Sequence, residues 1–216
     1  MAAFGVPPPG GTNAQHEISQ TMIIMDKGAS PDSYQTVVPR RVIGIDLSMT
    51  STGLAVIANG TIETHTVKSK PDAGTLRSFL ARSHNIAAGI DEAVRLHPSD
   101  LIVIEGMAFG AKSSSLDKIH AHWWLVVKHL CEYVDQEPVV ITSGQRCKYA
   151  TGKGNAQKDI VLAAVLKRYP QADPKGNDEA DAVIFAAMGA RHLGRPVEES
   201  LPLVNLEAME VVRWAV

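Results

Sequence analysis

Three short apolar runs open the ordered part of the chain: "RVIGIDL" at 41–47, "GLAVIA" at 53–58 and "TIETHTV" at 61–67. Their length and β-branched content predict strands, and Asn59-Gly60 between the last two is a strong hairpin signal. Leu76, Phe79, Leu80, Ile86, Ile90 and Val94 then recur at three- and four-residue spacing, which predicts a helix ended by Pro98. "DLIVIEG" reads as a continuous apolar strand, "SSSLDKIHAHWWLVVKHLCEYV" as a long helix with a wide apolar face, and "PVVIT" as a short buried strand. "SGQRCKYATGKGNAQKDIVLAAVLKRYP" suits two helices around a glycine-containing turn, and "NDEADAVIFAAMGARHL" is the last clear helix. Strands separated by helices indicate a parallel part of the sheet. The expected order, βββαβαβααα, is an α/β sheet with an antiparallel hairpin at one edge and helices on its faces.

Residues 1–39 show no sustained periodicity and are rich in Pro, Gly, Ser, Thr and Gln, so a flexible N-terminal arm is expected ahead of one domain over 40–216. "TMIIM" is the apolar patch in that arm, and docking on the domain or on a second subunit is its other reading. A length of 216 residues with 45% apolar content suits one core plus a tail. The net charge of -2 gives no global sign of a nucleic-acid partner, so any such surface must be local. Cys131 and Cys147 form no metal-ligand spacing and fit a reducing compartment. With no apolar run near the roughly 20 residues of a membrane span and no signal-peptide pattern, a soluble cytoplasmic protein without membrane contact is expected.

Chemistry enters with the acids. Asp46 and Glu105 end two buried strands, at the edge of an α/β sheet where sites are built. Asp178 and Asp181, three apart, project from one side of a helix's first turn. A strand-end Asp is also a turn former, and acids at a helix start also answer the helix dipole. The combination is more specific: four convergent carboxylates repel one another unless divalent cations bind, and hard oxygen donors suit Mg2+. From Arg146 to Arg168 the chain carries Lys148, Lys153, Lys158 and Lys167 against Asp159 alone, a local reversal of sign that suits a polyanion or a solvated helix pair. "GKGN" lacks the Lys-Ser/Thr ending of a nucleotide-binding P-loop, although its glycine amides suit a DNA phosphate. His120 and His122 are two apart on a helix and diverge, while Trp123 and Trp124 suit a core or a dimer contact.

In order and spacing, "GIDLSMTSTG", "IVIEGMAFG", "KYATGKGNAQK" and "NDEADAV" resemble the RuvC-type Holliday junction resolvases of the RNase H-like superfamily, especially bacteriophage members, over residues 41–193. The resemblance implies an RNase H-like mixed five-stranded sheet flanked by helices. It also implies a homodimer that nicks four-way and other branched DNA junctions symmetrically with Mg2+ or Mn2+, two ions per active site. On this resemblance Asp46, Glu105, Asp178 and Asp181 are the metal ligands, with Asp46 shared between the ions, and Lys148 and Lys158 face the scissile phosphate. Arg146, Lys153 and Phe109 join Lys148 and Lys158 as expected DNA contacts. Two departures stand out: Leu47-Ser48 replaces the usual Pro-Gly after the first Asp, and Phe109 follows Glu105 by four positions where the bacterial aromatic follows by three.

Other readings are an RNase H-like nuclease for RNA-DNA hybrids, a junction-binding protein without catalysis, and an actin-like ATPase fragment. The four acids argue against the second. The chain is too short for the two lobes of the third.

Overall fold

The computed structural model describes residues 41–97, 100–107 and 116–214. The expected arm at 1–39, Pro98 and Phe109 lie outside the described residues. The opening strands are β1 (Val42–Asp46), β2 (Ser51–Ala58) and β3 (Thr61–Lys68), each antiparallel to the next. Asn59 and Gly60 take φ values of 50° and 79°, the pair of positive angles that a tight hairpin turn needs to match strand twist.

Helix α1 (Leu76–Val94) starts at a reciprocal cap between Thr75 and Ser78. It stops before Pro98, at Arg95 in the left-handed conformation, where Asp91 Oδ1 accepts from the Leu96 N–H. Its buried stripe is Phe79, Ile86, Ile90 and Val94, whereas Leu76 and Leu80, expected in that stripe, remain 80% and 52% exposed. Strand β4 (Leu101–Glu105), helix α2 (Leu116–Tyr133) and strand β5 (Val139–Ile141) follow. β4 and β5 add in parallel, giving the order β3-β2-β1-β4-β5. β5 is an edge strand, which leaves Val140 exposed where a buried strand was expected.

The remaining helices are α3 (Ser143–Thr151), α4 (Lys158–Arg168), α5 (Asn177–His192) and α6 (Leu203–Glu210), with a 3-10 turn at Pro170–Ala172. Helix α6 was not expected, because its eight residues carry no apolar stripe. It packs on α3, where Asn205 Nδ2 donates to the Tyr149 carbonyl at 2.8 Å.

Period-two alternation sends Ile43, Ile45, Leu54, Val56, Ile102 and Ile104 to a core that also holds Ile86 and Ile90 of α1 and Val126 and Leu130 of α2. Val42, Ala55, Ile57, Leu101 and Val103 point the other way, into a core with α3, α4 and α5. Every residue of α5 from Glu179 to Ala190 is buried. It can lie so close because of two glycines in the sheet: a Cβ on Gly44 would sit 2.1 Å from the Ala182 carbonyl oxygen, and one on Gly53 2.1 Å from that of Asp178. Among the described residues no helix is long and apolar enough to cross a membrane.

Candidate active site

Asp46 belongs to the strand face that carries Val42 and Gly44, and Glu105 to the face that carries Leu101 and Val103; both therefore point toward α5. β1 and β4 pair in parallel with Val42 opposite Leu101 and Ile45 opposite Ile104, so the same register sets Asp46 beside Glu105. On its other side Asp46 pairs with Gly53, the residue whose missing Cβ admits the first turn of α5. That turn carries Asp178, half-buried, and one turn on lies Asp181, 1% exposed. Thus strand register and one glycine contact bring the acids expected from sequence to a common edge.

The turn after Asp46 is closed by its own hydroxyls. Thr52 Oγ1 donates to the Ser48 carbonyl at 2.9 Å and accepts from the Ser48 N–H at 3.2 Å. Arg82 donates to the Met49 carbonyl. These bonds close the turn that Leu47-Ser48 begins after Asp46. Glu105 is held from the opposite side, since Trp123 Nε1 donates to its carbonyl at 2.8 Å. Next to it a cavity of 170 Å3 is lined by Ser48, Met49, Glu105, His122 and Trp123. His122 is buried, and burial first, then the nearby Arg82 charge, lowers its pKa to about 4, so it is a neutral core histidine. Trp124, by contrast, is 57% exposed.

The carboxylates feel one another. Burial, then Glu105 and Asp181, pushes the Asp46 pKa up to about 9, with Lys158 easing the effect. Asp181 is raised to about 6 by burial, against Arg146 and Lys158 and with the help of Glu105 and Asp178. Its Oδ1 is buried without a hydrogen-bond partner.

The basic residues divide in a way the sequence does not announce. Arg146, expected to contact DNA from the surface, is 4% exposed and turns inward. Its Nη1 lies 2.5 Å from Asp181 Oδ2 and 3.4 Å from Glu105 Oε2. Burial opposes its charge, but those two acids more than offset the penalty and keep it a cation. Helix α3 aims it there because a cap between Thr142 and Gln145 fixes the helix start, and Arg146, Cys147, Tyr149 and Ala150 form its buried side. Lys148 is directed elsewhere, and its Nζ pairs with Glu207 of α6 at 2.6 Å. Arg168 donates to the Tyr149 and Ala150 carbonyls and is a structural cap of α3. Lys153, Lys158 and Lys167 are exposed, and Lys158, at the start of α4, is the one that faces Asp46 and Asp181.

Among the described residues no three His, Cys, Asp or Glu side chains are set to hold a metal ion as they stand. The Arg146 guanidinium between Glu105 and Asp181 supplies part of the compensation expected from divalent cations alone. The donor set nonetheless fits a hard divalent ion, because it consists of carboxylates with a buried, unpartnered Asp181 oxygen among them. Sequence reasoning missed Glu179, the middle acid of "NDEAD". It is buried and accepts from the Lys175 N–H at 2.7 Å and from the Thr66 hydroxyl, tying α5 to β3. Burial disfavours its charge, yet these donors hold its pKa below the ordinary carboxylate value. Nothing in the pattern marked it apart from Asp178. Glu207 was missed because α6 was.

Residues 42–188 match the family model described as crossover junction endodeoxyribonuclease RuvC. A protein of that description from Synechococcus sp. (strain CC9311) is 29% identical over 163 residues, covering 69% of this chain and 97% of the relative. One from Prochlorococcus marinus (strain MIT 9303) is 27% identical over 157 residues, with the same coverages. Among solved structures, Thermus thermophilus RuvC shares the fold, with a TM-score of 0.54, 20% identity and coverage of 72% of this chain and 97% of that one. The same protein in complex with Holliday junction substrate gives a TM-score of 0.55 at 19% identity. Helix α6 lies beyond the residues matched by the family model.

Proposed function

Because the chain belongs to the RuvC family of crossover junction endodeoxyribonucleases, we propose that it resolves four-way DNA junctions by metal-dependent phosphodiester hydrolysis, in the cytoplasm of a bacterium or of a phage's bacterial host. The observation that carries this reading is the meeting of Asp46 and Glu105, from adjacent parallel strands, with Asp181 of the helix packed across them.

Asp46, Glu105, Asp178 and Asp181 would hold Mg2+ or Mn2+, with Asp46 central to the set. When bound, two such ions activate water and neutralise charge on the departing oxygen of an in-line displacement. The protein's part is to fix those donors on rigid elements, with the Gly44 and Gly53 contacts setting the depth of α5. Lys158 supplies an ammonium at the same edge, where charge develops on the scissile phosphate. Exposed Lys153 and Lys167 extend the basic surface along which a DNA backbone would run.

Two-fold junctions call for paired active sites, and a homodimer through α2 supplies them. Ile119, Trp124 and Tyr133 of that helix are 44%, 57% and 75% exposed, apolar surface that the rest of the described chain leaves uncovered. Light scattering at micromolar concentration is expected to give a dimer mass.

The deciding experiment offers labelled four-way junction, Y-fork, linear duplex and RNA-DNA hybrid, with Mg2+ and with EDTA. Symmetric nicking of the junction, abolished by EDTA, is expected. Cleavage of the hybrid in preference to the junction would overturn the reading.

A further inference from the structure

A buried arginine in the middle of an acidic metal site is unusual enough to need a role. Arg146 is held from behind: Nη2 donates to Ser143 Oγ at 3.1 Å and approaches Cys147 Sγ at 3.6 Å, and the guanidinium carbon lies 5.9 Å from the centre of the Phe185 ring. Its side chain is 5% exposed. Such a group is not a surface arginine that reaches the site from solvent. It is built into the site by the capped helix α3 on one side and by α5 on the other.

The charges then divide unevenly. Arg146 bridges Glu105 and Asp181, whereas Asp46 faces Lys158 among its cationic neighbours. The four carboxylates Asp46, Glu105, Asp178 and Asp181 carry four negative charges when ionised, and Arg146 and Lys158 cancel two of them. What remains equals the charge of one divalent ion, and a second would leave the site positive until a phosphate arrives.

We propose that Arg146 is a built-in counter-cation that occupies the Glu105 and Asp181 side of the site and makes the two metal positions unequal. The first ion binds on the Asp46 side. The second binds only where the Arg146 bridge opens, an event favoured by the negative charge of bound DNA. Arg146 is thus a positioning residue that ties full metal loading to substrate. This inference rests on the metal-dependent reading above.

The test is Mn2+ titration of the intact protein without DNA, followed by electron paramagnetic resonance and calorimetry, for the unaltered protein, Arg146→Met and Arg146→Lys. Methionine keeps length and removes charge; lysine keeps charge. The unaltered protein is expected to bind one Mn2+ per active site at least about tenfold more tightly than the second, and Arg146→Met to tighten the second site by about tenfold. Arg146→Lys is expected to keep the unequal pattern. In EDTA, Arg146→Met is expected to unfold at a lower temperature than the unaltered protein and to gain more from Mn2+. Where Arg146→Met does not fold, Arg146→Gln makes the same comparison. Identical isotherms, or weaker binding at both sites without the charge, would overturn the proposal while leaving the metal reading intact. Absence of Mn2+ binding in the unaltered protein would overturn both.

Discussion

Gly53 lies directly beneath the first turn of α5, so that a Cβ at this position would fall 2.1 Å from the Asp178 carbonyl oxygen. Because Gly53 is also the antiparallel partner of Asp46, one residue sets the distance between the strand acid and the helix acids.

Gly53→Ala is therefore expected to act on stability and on the site together. The clash is with backbone, which cannot rotate away, so a loss of about 2 kcal/mol or more is expected in denaturant unfolding. Displacement of Asp178 by a fraction of an ångström to an ångström is expected to lower cleavage by up to about 10²-fold. Gly60→Ala is the control: its position is open, with φ of 79°, and the strain of about 1 kcal/mol falls far from the acids. Equal effects of the two substitutions on cleavage would refute the role given to Gly53.

Asp46→Asn, Glu105→Gln and Asp181→Asn are each expected to lower single-turnover cleavage by at least about 10³-fold, since each removes a charged donor where transition-state charge is stabilised. Junction binding measured in Ca2+ should change by less than about threefold, because affinity comes chiefly from phosphate contacts elsewhere. Full activity in Asp46→Asn would end the metal-site reading.

Stability of the metal-free protein carries a pH signature. The Asp46 pKa is raised to about 9 and that of Asp181 to about 6, from 3.8 in each case. Above pH 4 the unfolded chain has released protons that the folded chain keeps, so unfolding is favoured progressively as pH rises. In EDTA the melting temperature is thus expected to fall between about pH 5 and pH 9, steepest up to about 6 while both acids contribute. Saturating Mg2+ should flatten that slope, since it favours the ionised forms in the folded state. A melting temperature that rises over this range in EDTA would show that these carboxylates are not forced together.

The sheet and the acids were legible in the sequence because they rest on short-range signals. Apolar runs that each end in an acid placed Asp46 and Glu105 at one edge of the sheet, and Asn59-Gly60 marked its own turn. Arg146 was not legible: "QRCKYA" places Arg146 and Lys148 two apart, and which one turns inward depends on how α3 docks against α5, a tertiary matter. The same holds for Glu179, whose neighbours in "NDEAD" have identical chemistry but different azimuths on the helix. Helix α6 escaped because propensity and periodicity are both weak over eight residues, and it exists through contacts with α3 such as Asn205 to Tyr149.

The lysines give the sharpest separation. Lys148 and Lys158 were expected to share a role at the scissile phosphate, but Lys148 is tied to Glu207 at 2.6 Å while Lys158 faces Asp46 and Asp181. Lys158→Ala is expected to slow single-turnover cleavage at saturating enzyme by about 10- to 100-fold with little loss of binding, as an ammonium that acts on developing charge should. Lys153→Ala and Lys167→Ala should instead weaken binding to all substrates and make its salt dependence shallower, by about one unit of slope for each phosphate left without its ammonium partner. Lys148→Ala is expected to resemble neither in full, since its removal also strands Glu207 and loosens α6 from α3. Glu207→Gln separates the two possibilities by freeing Lys148 with the helix intact. Faster cleavage in Glu207→Gln would mean that α6 restrains a catalytic lysine. Unchanged cleavage, together with an unchanged rate in Lys148→Ala, would leave Lys158 as the ammonium that acts on the phosphate.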